Sequence, residues 1–116
     1  MPKSNLKRPT RYFSKRQEKR TSKKLDMKVT PNSGATGFIK GDVIDENLIL
    51  ECKTLVKPQT TRTIHKEWFT KTEEEMYQMD KDLYGVVFDF GDGDDFVAVP
   101  LKTFEELYTA YKNSLE

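Results

Sequence analysis

The apolar positions of this 116-residue chain change their spacing repeatedly, and each change marks an element boundary. Residues 1–12 hold Pro2 and Pro9 and little that could be buried, so they read as a flexible arm. Residues 14–25, SKRQEKRTSKKL, favour a helix by propensity but carry a poor apolar stripe. Leu25 marks its inward face, and Glu18 falls on that same face seven residues earlier, with Thr21 and Ser22 between. A short strand at 28–30 leads into the turn-rich loop PNSGATG, residues 31–37. Residues 41–45 and 48–54 read as two strands, and 57–63 as polar loop. Helical spacing returns over 64–82, with Trp68, Phe69, Met76, Met79 and Leu83 on one face. YGVVFDF (84–90) and DFVAVPL (95–101) form strands around a GDGD turn. Thr103 and Glu106 make a capping box ahead of a stripe of Phe104, Leu107, Tyr108, Tyr111 and Leu115. The predicted order αβββαββα describes one mixed α/β domain, in which aromatic stripes at helical spacing are ordinarily core.

GDVIDENLILECK, residues 41–53, places charges in the most strand-like part of the chain. A two-residue turn at 46–47 makes Asp45 face Leu48, Ile44 face Ile49, Val43 face Leu50 and Asp42 face Glu51. Alternation then sets Asp42, Ile44, Ile49, Glu51 and Lys53 on one face, and Val43, Leu50 and Cys52 on the other. Two carboxylates opposite one another destabilise a sheet unless a cation lies between them. Oxygen ligands suit hard ions such as Mg²⁺ or Mn²⁺. Lys53, on the same face as Glu51, can reach a water or phosphate beside such an ion. A slip of one residue would part the acids onto opposite faces. E-x-K alone carries little, since 10 Glu and 15 Lys produce roughly one such triplet by chance. The apolar strand before it and the acid nine residues upstream give it weight. The plain alternative is a surface acid–lysine pair across two strands.

Charge changes the picture more than composition does. The net charge of +1 hides a segregation: residues 1–28 carry about +9, and the remaining 88 about −8. A basic segment of this kind favours a polyanion, most often nucleic acid, although a solvated tail is the bland alternative. One cysteine, Cys52, excludes an internal disulfide, and His65 is the one histidine, which disfavours zinc. No apolar run approaches a membrane span, and no apolar segment follows the basic start as in a secretory signal, so a reducing cytoplasm is expected. DFGDGDD, residues 89–95, invites a calcium reading but lacks the spacing of an EF-hand loop, and a hairpin turn explains it better.

A helix with a glutamate, a strand, a Ser-Gly loop, a Gly-Asp strand and an apolar strand ending Glu-Cys-Lys resembles the PD-(D/E)xK nuclease superfamily. Within it, residues 17–54 resemble the archaeal-type Holliday junction resolvases and their phage relatives. The resemblance implies a restriction-endonuclease-like αβββαβ core with a mixed central sheet and an added C-terminal helix, spanning 13–116. It implies a metal-dependent, structure-specific DNA endonuclease of recombination and repair, cutting four-way junctions symmetrically to leave 5′-phosphate and 3′-hydroxyl ends. Asp42, Glu51 and the Cys52 carbonyl would hold Mg²⁺, with Mn²⁺ as a substitute, and Glu18 would complete the site. Lys53 would orient water or stabilise the transition state. Ser33 would lie near the scissile phosphate, and Lys40 would stand in for an arginine the loop lacks. Gly41 occupies the position where the family usually has proline. Arg16, Lys19, Arg20, Lys23 and Lys24 would contact DNA phosphates together with the arm. A homodimer in a prokaryotic or phage-infected cytoplasm is further implied, with Trp68, Phe69 and the last helix's aromatics as candidate interface. Two rivals stand beside this: a nicking or restriction-type enzyme of the same superfamily, and a non-catalytic basic nucleic-acid-binding protein.

Overall fold

A computed structural model describes residues 10–31 and 40–116. The elements run α1 (Thr10–Leu25), β1 (Lys28–Val29), β2 (Val43–Ile44), β3 (Leu48–Lys53), α2 (Lys66–Gln78), β4 (Leu83–Phe88), β5 (Phe96–Ala98) and α3 (Leu101–Asn113). The expected mixed α/β order is therefore present, around one five-stranded mixed sheet ordered β1-β2-β3-β4-β5. Only β3 and β4 run parallel, and α2 makes their crossover. Among the described residues no helix is long and apolar enough to cross a membrane.

The hairpin takes the expected register, Val43 opposite Leu50 and Ile44 opposite Ile49. Its turn is made by Asp45, whose carboxylate accepts the Asn47 and Leu48 N–H groups, each at 2.9 Å. The two faces sort as alternation requires. Val43, Leu50 and Cys52 join Met27 and Val87 in one core cluster, on the side that α1 covers. Ile49 joins Met76 and Tyr84 in the other, with Ile44, Phe69 and Met79 packed around them from α2 and the sheet.

Helix boundaries differ from expectation for local reasons. α1 takes in Thr10 to Tyr12, so the arm's last residues are helical, while residues 1–9 lie outside the described residues. An Arg16–Tyr12 hydrogen bond of 2.9 Å, one turn apart, ties that first turn down. The inward face of α1 is polar: Gln17 and Thr21 are buried, and Leu25, expected inside, is exposed. α2 stops at Gln78 rather than 82, because Asp80 takes a left-handed φ of 55° and Lys81 N–H bonds back to the Met76 carbonyl at 2.9 Å. Leu83, expected on that helix, opens β4 instead. The Thr103–Glu106 capping box does not form. α3 starts at Leu101 behind Pro100, whose φ of −57° leads directly into a helix, and no side chain caps it. The stripe on α3, expected as core, is exposed along its whole length.

Candidate active site

Where β2 and β3 part, Asp42 lies close enough to raise both Glu18, on the α1 side of the sheet, and Glu51, on the α2 side. Asp42 stands one residue before β2, and its backbone is fixed on both sides. Its N–H bonds the Leu50 carbonyl and its carbonyl accepts the Thr30 N–H, both at 2.9 Å. The first of these is one position out of the hairpin register, so the ladder is bulged at Asp42. Gly41 makes the bulge possible. Its φ is +78°, and a Cβ there would collide with the Ile49 side chain, so a proline or any larger residue is excluded. The bulge also alters the expected pairing of Asp42 with Glu51. The Asp42 carboxylate instead accepts the Cys52 N–H at 2.8 Å, and the residue is buried. In a strand a residue's N–H and C=O point to the same edge, so the Cys52 carbonyl looks toward Asp42's edge of β3.

Glu51 and Lys53 project from β3 toward α2, with Lys53 Nζ 3.8 Å from Glu51 Oε1. The Lys53 ammonium also lies 5.4 Å from the centre of the Trp68 ring. Its backbone carbonyl accepts from Gln17 Nε2 at 3.0 Å and from Arg62 Nη1 at 3.2 Å, which pins the end of the strand. Arg62 covers the same Trp68 ring at 5.3 Å. Glu18 approaches from α1 and is half-buried.

Two of the acids hold their protons more tightly than free carboxyls, chiefly because they are buried. Burial pushes Glu18 up to about 7 and Asp42 adds to it, against the opposing pull of Arg11 and Lys15. Glu51 is raised for the same two reasons, burial first and Asp42 second, with Lys53 and Lys71 opposing. Burial also pushes the Cys52 thiol up, with smaller contributions from Asp42, Glu18 and Glu51. Carboxylate oxygens are hard donors of the kind a divalent cation takes. Among the described residues no three Asp, Glu, His or Cys side chains converge into a closed metal shell. Mg²⁺ characteristically takes one or two carboxylates and fills its other positions with water and phosphate oxygen, and Asp42 with Glu51 fits that pattern.

A groove of about 550 Å³ runs past Glu18 between α1 and β1, lined also by Arg11, Ser14, Lys15, Lys19 and Thr30 among others. The expected phosphate contacts divide. Arg16, Lys19, Lys23 and Lys24 are exposed on α1, and Lys40 is half-buried. Arg20 is turned inward, onto Asp95 at 2.9 Å and Asp89 at 3.3 Å, so the structure gives it a tethering place rather than a free one. Ser33 lies outside the described residues. Sequence reasoning missed Gln17, Arg62 and the placement of Trp68 against Lys53. It also missed Arg11 and Lys15, which flank Glu18. Helical spacing from Glu18 back to Lys15 and Arg11 was the available signal for these two. Comparison with protein-family models, with curated proteins and with solved structures finds no match.

Proposed function

We propose that the protein is a Mg²⁺-dependent DNA endonuclease of the PD-(D/E)xK type, acting as a resolvase on four-way junctions. The observation that carries this reading is the fork of a bulged hairpin, where the Asp42 carboxylate accepts the Cys52 N–H at 2.8 Å and Lys53 lies 3.8 Å from Glu51 on the adjoining strand. The sheet order and the parallel β3–β4 crossover support it, being compatible with the layout the sequence resemblance implies.

Asp42 and Glu51 would hold the ion, with the Cys52 carbonyl on the same edge. Mg²⁺, when bound, supplies a water of lowered pKa and offsets charge on the phosphate. Lys53, held by Glu51 and Trp68, would donate a hydrogen bond to the attacking water or to a phosphate oxygen as charge develops. Glu18, raised to about 7 chiefly by burial, would accept or return a proton near neutral pH. Lys15, Lys19 and Arg11 along the groove would receive the DNA backbone without reading bases. Two copies of the site would suit symmetric cutting of a junction.

The test is incubation of the purified protein with a labelled four-way junction and a matched linear duplex, with Mg²⁺ or EDTA. Paired Mg²⁺-dependent nicks confined to the junction are expected, absent in Asp42→Asn and Lys53→Ala. Equal cutting of both substrates would move the protein to a general nuclease. Binding of either DNA without cutting in Mg²⁺ or Mn²⁺ would leave a nucleic-acid-binding protein whose acids are structural.

A further inference from the structure

Between β3 and α2, residues 54–65 form neither helix nor strand, yet the segment is fixed in place. The Gln59 N–H bonds the Phe90 carbonyl at 2.9 Å. Arg62 Nη1 donates to the Lys53 and Asp89 carbonyls at 3.2 and 2.6 Å. Gly91 packs so closely on Lys57 that a Cβ at the glycine would collide with the Lys57 carbonyl. The segment and the first turn of α2 enclose a cleft of about 490 Å³, within the size range of ligand sites. Gln59, Thr61, Arg62, Thr63, His65 and Trp68 line it, and none of the described residues around it is acidic. His65 and Trp68 make an aromatic wall with ring centres 5.0 Å apart, and His65 is exposed. The Arg62 guanidinium and the Lys53 ammonium lie 5.3 and 5.4 Å from the centre of the Trp68 ring.

Aromatic rings to stack on, cations for phosphates, and exposed side chains that both donate and accept are the parts of a site for single-stranded nucleic acid. Gln59, Thr61 and Thr63 supply the last of these, and all three are exposed. We propose that the cleft receives one unpaired nucleotide of a DNA strand, its base stacked on the His65–Trp68 wall and its phosphate toward the charges of Arg62 and Lys53. This deepens the nuclease reading, on which it rests only for the cleft's place beside the bond to be cut. Lys53 joins the two sites: it is the residue that reading sets against the scissile phosphate, and its ammonium also borders the Trp68 ring. A continuous duplex hides its bases, and extracting one costs free energy, least where pairing is already interrupted. The cleft therefore favours DNA with unpaired bases at a branch over plain duplex.

Trp68 is the only tryptophan in the chain, so its fluorescence reports on the cleft directly. The full chain is titrated in EDTA with a short oligothymidylate and with an abasic strand of equal length. The abasic strand carries the same phosphates, so the basic segment holds both alike and the difference isolates the base. Saturable quenching is expected with oligothymidylate, with the abasic strand bound roughly five- to a hundredfold more weakly. His65→Ala changes an exposed side chain that makes no capping bond, so it should keep the wild-type circular dichroism spectrum and lose most of that preference. Trp68→Leu, followed by the anisotropy of labelled strands, should lose it too. Equal affinity for the two strands, or a preference unchanged in both variants, would overturn the proposal. Base-dependent binding with no cutting in Mg²⁺ or Mn²⁺ would uphold the cleft while sinking the nuclease reading. Junction cutting without base-dependent binding would sink the cleft alone.

Discussion

The chain gathers acids in two places, and it treats them in opposite ways. At the far end of β4, Asp89 is buried and fully engaged. It accepts from the Thr54 hydroxyl at 2.8 Å, the Gly91 N–H at 3.1 Å and Arg20 at 3.3 Å. Asp95 beside it holds the same Arg20 and Gln17. Hydrogen bonding to Asp95 and both charges keep the Arg20 guanidinium protonated, and the result ties α1 to the β4–β5 hairpin. Where β2 and β3 part, Asp42 helps raise Glu18, on the α1 side, and Glu51, on the α2 side, burial being the larger cause for each, while Arg11 and Lys15 oppose at Glu18 and Lys53 and Lys71 at Glu51. One cluster has its partners within the chain and is structural. In the other, burial and Asp42 leave Glu18 and Glu51 with raised proton affinity, and the proposed cation would favour their charged forms.

The largest effect should come from the acids at the β2–β3 fork and appear in activity alone. Asp42→Asn retains an oxygen for the Cys52 N–H, so the fold is expected to stand while cleavage falls about a thousandfold or more. Parallel assays of cleavage and circular dichroism check both halves. Asp89→Ala should do the reverse. It strands the Thr54 hydroxyl, the Gly91 N–H and part of Arg20, and urea unfolding is expected to show a loss of about 2–4 kcal/mol.

A smaller effect concerns pH. In the folded chain Glu18 keeps its proton up to about 7, whereas the unfolded chain releases it near 4.5. Between these values the native state binds more protons, so stability falls as pH rises through the window and levels off above it. Glu51 acts in the same direction. Glu18→Gln should remove its share, about 1 kcal/mol once screening at a half-exposed site is allowed for. Thermal midpoints across that pH range in the absence of divalent ions would sink the comparison if wild type and Glu18→Gln ran parallel. The smallest effect belongs to Lys23→Ala and Lys24→Ala. Each should lower the salt dependence of DNA affinity by about one phosphate contact, with stability unchanged.

Much of this was legible in the chain. The hairpin register, its two faces and the element order follow from the period-two run at 43–53 and the turn at its tip. Asp42, Glu51 and Lys53 were visible because a charged face in an apolar strand is a conflict that needs a reason. The bulge was not visible, since it depends on how closely Gly41 approaches Ile49, a matter of packing rather than pattern. Nor was the polar inward face of α1. Gln17 and Thr21 are buried because strand ends at β3 and the Asp95 carboxylate offer them bonds across the fold, which helical periodicity cannot register. On α3 the stripe was read correctly as amphipathic and wrongly as core, because spacing shows that a face is apolar and says nothing of which surface covers it.

The most direct test of the proposed cation site is thermal unfolding at pH 8 with and without millimolar Mg²⁺, in wild type, Asp42→Asn and Asp89→Ala. Mg²⁺ is predicted to raise the midpoint of wild type and of Asp89→Ala and to leave Asp42→Asn unmoved. A wild type indifferent to Mg²⁺ and Mn²⁺, or an Asp42→Asn variant stabilised as much as wild type, would contradict a metal site at the β2–β3 fork.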